Sequence, residues 1–290
     1  MPIPNRREVG RHHRLAVLLL LGACQSEPAA PPRMDQPVSR LKVIDLPAST
    51  PSLCEVRRWL DPAGRFLVAP RWTPDGMGLW LHGRWGLGLY LFEPRSGDLF
   101  SQAPEDLRAR PPGDPPAESW LQDGVASAAI LHEDEGGRAL FESRRGRIAW
   151  VEGATERVLV ATGAWGVAAS PDGQRIAYCL GPLGSSHVWV AWRSGERRDF
   201  GPGAQPVWLD ATSLVYAVPL AERQDPWLPV PNGADLFLLD VQSDRVWPLT
   251  HVSEFIQMNP AVFPPDRLAW SDWRSGALLT GRICNRVEAP

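Results

Sequence analysis

Short runs in which apolar and polar residues alternate recur along most of this 290-residue chain. The clearest are Arg175-Ile176-Ala177-Tyr178-Cys179-Leu180 and His187-Val188-Trp189-Val190-Ala191-Trp192, with Gly78-Leu79-Trp80-Leu81-His82 and Leu87-Gly88-Leu89-Tyr90-Leu91-Phe92 upstream. A period of two places alternate side chains on opposite faces of a strand. Glycine-bearing turns such as Pro171-Asp172-Gly173 and Arg193-Ser194-Gly195 between such runs predict antiparallel hairpins.

The pattern repeats as a unit: apolar run, acidic turn, strand, loop, strand, turn, strand. Residues 166–198 carry it most fully, and residues 66–100 carry a second full copy. A degenerate copy starts at Ala128, another at Pro206 and a last one at Pro260. The turn aspartates fall at 75, 134, 172, 210 and 266, giving intervals of 59, 38, 38 and 56. A period of 38, lengthened by insertions at residues 103–118 and 221–233, accounts for all of them. Four short strands per unit at this spacing predict an all-β protein, a β-propeller of five or six four-stranded blades. Residues 38–46 alternate well and are expected to supply the outer strand of the last copy, closing the ring and removing open sheet edges. Residues 53–60 would then belong to an irregular sixth blade. The turn aspartates are expected to shape turns, because a short acidic side chain accepts from nearby backbone amides while glycine supplies a positive φ.

Pro70, Trp72 and Thr73-Pro74-Asp75-Gly76 in one copy, Ser170-Pro171-Asp172-Gly173 with Ile176-Ala177-Tyr178 in another, and Leu249-Thr250 in a third make a nameable motif. It resembles the WD-like repeats of TolB-type propellers over roughly residues 66–283. The resemblance implies a propeller, usually six-bladed in that family, and a role in envelope complexes. Asp210 lacks the flanking Pro and Gly, Asp266 lacks the Gly, and nothing resembles the separate N-terminal domain of TolB itself.

The N-terminus adds an address. Arg6, Arg7, Arg11 and Arg14 precede the apolar residues 15–21, a stretch too short to span a bilayer as a helix. Leu21-Gly22-Ala23-Cys24 resembles a bacterial lipobox, which implies cleavage before Cys24 and lipidation of its thiol. An ordinary secretory signal is the alternative. The expected division is a signal peptide at 1–23, a Pro/Ala-rich tether at 24–37 and the propeller at 38–290. Gln25, rather than Asp, follows the cysteine, which in the lipoprotein family that the lipobox resembles implies an outer-membrane destination; a protein facing the periplasm is the expectation and one facing the cell exterior the alternative. Acyl chains would hold the protein to the membrane.

Export also frames the remaining cysteines, Cys54, Cys179 and Cys284. Cys179 lies inside an alternating run and reads as a buried small hydrophobe. Cys54 and Cys284 stand near the two ends of the folded region, which meet in a closed ring, so they are candidates for a disulfide; two free thiols would look the same in sequence. A net charge of −3 and a pI near 6.1 give no electrostatic footprint for nucleic acid.

Reactive constellations are not evident in the sequence. No G-x-S-x-G is present, and Gly184-Ser185-Ser186-His187 reads as a loop. His82, His132, His187 and His251 fall in different repeats without metal-ligand spacing, and His132-Glu133-Asp134-Glu135 reads as a solvated turn. No catalytic residue, metal or cofactor is assigned. Loops at the ends of a propeller commonly carry binding, which singles out His82, Arg84, Trp85 and Trp227 as candidate partner-binding residues. The leading expectation is a non-enzymatic, lipid-anchored platform for an envelope protein. The alternative is a carbohydrate-binding or glycan-cleaving propeller; cleavage requires paired carboxylates, expected in the central channel.

Overall fold

The computed structural model describes residues 37–47, 50, 52–83, 88–102, 128–219, 233–251 and 255–284. The N-terminal segment contributes β1 (Ser39–Arg40), β2 (Lys42–Asp45) and β3 (Leu53–Leu60). Four meanders follow: β4 (Leu67–Trp72), β5 (Leu79–Gly83), β6 (Leu89–Glu93) and β7 (Asp98–Gln102); β8 (Ala128–Asp134), β9 (Gly137–Glu142), β10 (Arg147–Glu152) and β11 (Thr155–Val160); β12 (Trp165–Ala169), β13 (Arg175–Leu180), β14 (His187–Trp192) and β15 (Arg197–Pro202); β16 (Ala204–Trp208), β17 (Ser213–Pro219), β18 (Ala234–Asp240) and β19 (Arg245–Pro248). The chain ends with β20 (Gln257–Phe263), β21 (Arg267–Asp272) and β22 (Ala277–Ile283).

These strands build five antiparallel sheets among the described residues, one per repeat. The inner strands β8, β12, β16, β20 and β4 neighbour one another in that order, as blades of a propeller do about a common axis. The fifth blade is completed from the other end of the chain, in the order β2-β3-β22-β21-β20. Residues 53–60 therefore form the fourth strand of blade five and not a sixth blade. Residues 38–46 do not supply that strand either. β1 adds outside β7, β2 adds outside β3, and the segment straps the outer edges of blades one and five together. The correction has a simple cause: alternation identifies a strand, but not a partner strand more than 200 residues away.

Burial follows position in the blade. Middle strands such as β17, with Leu214, Val215, Tyr216 and Ala217 all buried, lose strict alternation because neighbouring blades cover both faces. Outer strands are open, as in β11, whose first four residues are exposed. Trp59, Trp150, Trp208, Trp247 and Trp270 are each buried within the blades or between them, and such side chains contribute roughly 1.5–3 kcal/mol apiece or more.

The repeat motif works as a set of local and inter-blade bonds. Thr73 Oγ1 donates to Asp75 Oδ1 at 2.5 Å and Ser170 Oγ donates to Asp172 Oδ1 at the same distance. The amides of Met77 and Gln174 then donate to those carboxylates at 2.9 and 3.1 Å. The Trp of the motif latches blades: Trp72 Nε1 donates to the Ala261 carbonyl at 3.2 Å, and Trp208 Nε1 to the Ala168 carbonyl at 3.0 Å. An arginine soon after the turn binds the other neighbour, with Arg175 reaching the Ala211 carbonyl at 2.7 Å and Arg267 the Gly76 carbonyl at 2.6 Å.

Cys54 and Cys284 are joined by a disulfide, with Cα atoms 6.0 Å apart. Cys179 is free and fully buried; burial pushes its thiol up to about 12, outweighing the backbone N–H of Gln205 that donates to it.

Candidate binding rim on the inner strands

Up-and-down connectivity sorts the loops. The aspartate turns lie at one end of the propeller, and the loops entering each inner strand lie at the other. The inner strand of a blade has to bend around the axis, and each one carries a register shift: Val68/Arg71, Ile130/His132, Trp165/Ala168, Ala204/Val207 and Met258/Ala261. A bulge inserts a residue and sharpens local twist. In four blades the bulge holds a residue in the left-handed region: Ala69 (φ 51°), Gly166 (57°), Gln205 (54°) and Asn259 (54°). In three of them a proline follows, at 70, 206 and 260. Left-handed backbone is sparsely populated by non-glycine residues, so its recurrence at one level of the wall is a built feature.

These positions line up across blades three to five. A side chain on Gly166 would sit 3.6 Å from the Gln205 Cα, placing the two bulges in contact. The amide of Asn259 donates to Gln205 Oε1 at 2.8 Å, and Trp273 Nε1 donates to Asn259 Oδ1 at 2.5 Å. Trp165 Nε1 is held by the Gly181 carbonyl at 2.7 Å. Trp165, Gln205, Asn259 and Trp273 are all partly buried. Together they form a rim of two indoles and two primary amides at the loop end of the inner wall.

The electrostatics of the wall are plain. β4, β12, β16 and β20 carry no Asp or Glu, and β8 carries only Glu133 and Asp134 at its far end. Asp134 is engaged there by Arg193 at 3.2 Å, whose guanidinium lies 4.0 Å over the Trp150 ring. Among the described residues, the inner strands of blades three, four and five thus carry no carboxylate.

The residues singled out in the sequence distribute differently. His82 sits in β5 opposite Val68 and Leu89. Arg84, Trp85 and Trp227, like the lipidation candidate Cys24, lie outside the described residues. His132, His187 and His251 each stand beside an aspartate in a separate blade, Asp134, Asp199 and Asp235. Among the described residues no three potential metal ligands cluster. Gly184 to His187 form the connection into β14, where the Ser186 hydroxyl donates to the Gly203 carbonyl at 2.7 Å. The rim amides were missed in the sequence. Their signal was positional: Gln205 and Asn259 each precede the proline of an inner strand in equivalent repeats.

A scan against protein-family models finds no match, and no curated protein matches the chain. Solved propellers are similar in fold. A TolB from Agrobacterium tumefaciens is 14% identical, with 86% of this chain and 92% of that chain covered at a TM-score of 0.39. A chain of a nidogen/laminin complex is 11% identical over 84% and 89%, TM-score 0.38. An oligogalacturonate lyase from Vibrio parahaemolyticus is 11% identical over 86% and 98%, TM-score 0.34.

Proposed function

We propose that this chain is a lipid-anchored propeller of the bacterial envelope that holds a protein partner at the loop end of its inner wall. The observation that carries the reading is the rim of Trp165, Gln205, Asn259 and Trp273 on a wall whose inner strands in blades one, three, four and five lack carboxylates. Aromatic side chains bring large contact area with few rotatable bonds, and primary amides bring directional bonds without the desolvation cost of a charge. Glycan cleavage by paired carboxylates finds no support in the described inner strands, because Glu133 and Asp134 are adjacent on one strand end.

The anchor rests on the Leu21-Gly22-Ala23-Cys24 sequence. The described chain begins beside β1, at the outer edge of blade one and away from the inner strands.

The test is a crosslinking pull-down of the tagged full chain from detergent-solubilised envelope, read by mass spectrometry. A single abundant envelope protein is the expected product. Recovery of only lipid and abundant porins would contradict the reading.

A further inference from the structure

The β10–β11 hairpin of blade two turns through Gly153 and Ala154 at the aspartate-turn end, opposite the rim. Its register sets Trp150 against Arg157 and Glu152 against Thr155. Directly opposed residues of an antiparallel pair share a face, as do residues two apart on one strand, so these four side chains lie together. Blade three meets that face with the turn that follows β14. There the Arg193 guanidinium lies 4.0 Å over the Trp150 ring and donates to Asp134 Oδ2 at 3.2 Å and to the Gly136 carbonyl. Between hairpin and turn runs a cleft of about 80 Å3, lined by Trp150, Glu152, Thr155, Arg157 and Arg193. Residues 128–219 are described without a break, so both walls are defined along their length.

The charges of this cleft are unevenly matched. Asp134 pairs with Arg193. Arg157 is oriented without being neutralised, because its Nη1 donates to two backbone carbonyls, those of Arg193 and Ser194, both at 3.1 Å. Those bonds hold the guanidinium in place and leave Nε and Nη2, its side-on fork, as the remaining donors. Among the described residues no carboxylate stands within ion-pair distance of Arg157, and no cation within that distance of Glu152. The two occupy diagonal positions of the hairpin, a spacing of roughly 7–8 Å between Cα atoms.

We infer that the cleft binds a free α-amino acid, with its carboxylate on Arg157 Nε and Nη2 and its ammonium between the Glu152 carboxylate and the Thr155 hydroxyl. A simple anion would be repelled by Glu152, and a simple cation by Arg157. A neutral molecule would leave both charges unmatched. A ligand that carries both signs a few bonds apart matches both. The planar carboxylate suits the fork of an arginine better than it suits a point charge. The volume holds several waters or one small polar molecule, which favours an amino acid with a short side chain. The site is remote from the rim, so the inference goes beyond the partner-binding reading and stands or falls without it.

The experiment titrates the isotopically labelled full chain with glycine, acetate, methylamine and 2-aminoethyl phosphate, following the backbone amide resonances of residues 152–157. Saturable shifts with glycine, at an affinity at least tenfold above that for acetate or methylamine, are the expected result. Glu152→Gln and Arg157→Gln are each expected to weaken glycine at least tenfold at unchanged melting temperature. Should a variant lose its fold, the wild-type preference for glycine over acetate and methylamine decides alone. Acetate binding as tightly as glycine would overturn the inference, as would the absence of saturable shifts with every probe. Tighter binding of 2-aminoethyl phosphate than of glycine would also overturn it, and would point to a phospholipid headgroup.

Discussion

Trp59 Nε1 donates to Thr280 Oγ1 at 2.9 Å, across 221 residues of sequence. The bond ties β3, from the start of the folded chain, to β22, from its end, inside a blade that neither could form alone. The pairing of β3 with β22 thus joins distant parts of the chain within one blade.

The disulfide acts on the same seam. Cys54–Cys284 closes a separation of 230 residues, and cross-links of this kind typically contribute about 2–4 kcal/mol, largely by restricting the unfolded chain. Cys54→Ser is expected to lower the melting temperature by roughly 5–15 °C for a domain of this size. Differential scanning calorimetry of the variant, and of wild type with and without reductant, checks this.

The third thiol behaves oppositely. Cys179 is buried in β13 and its thiol is pushed up to about 12, so the nucleophilic thiolate is scarce at neutral pH. Native protein is expected to leave Cys179 unmodified by iodoacetamide over hours, with full modification in denaturant. Intact-mass spectrometry reads both states.

The hydroxyl–aspartate turns predict an acid limb of stability. At Asp172 partial burial raises the carboxyl, but the Ser170 hydroxyl, the Gln174 amide and Arg175 outweigh it and hold it below the ordinary 3.8; at Asp75 the Thr73 hydroxyl is the largest cause of the same lowering. A carboxylate depressed in the folded state contributes stability that is fully present above 3.8 and is lost as pH falls below it through the folded value. These groups are largely exposed, so each contribution is small. Ser170→Ala is expected to cost about 1 kcal/mol near neutral pH and to flatten the loss between about pH 4 and 2. Urea midpoints across that range, for wild type and variant, measure the difference.

Much of the architecture was legible in the sequence because its determinants are local. The spacing of Asp75, Asp134, Asp172, Asp210 and Asp266 marks the blades, and the networks at Thr73/Asp75 and Ser170/Asp172 show why these residues make turns. Leu53–Leu60 was misplaced because its alternation says nothing about β22 as a partner. The rim was harder still. Gln205 and Asn259 matter through the donors that orient their amides, Asn259 N and Trp273 Nε1, and the first of these lies 54 residues away from its acceptor.

Membrane attachment is tested at one atom. Cys24→Ser removes the thiol that the lipobox reading acylates, and two or more acyl signals separate stable from marginal anchoring. The variant is expected in the soluble fraction after cell lysis and wild type in the membrane fraction. Wild type that sediments no more than the variant would contradict the anchor.

The central claim is that a protein partner docks on the inner-wall rim, and site-specific photocrosslinking in intact cells tests it most directly. A benzophenone amino acid would replace Trp165 on β12 in one strain and Arg197 on the outer strand β15 in another. The account predicts one discrete protein adduct from position 165 and none from position 197. No adduct from 165, or the same adduct from both positions, would contradict it.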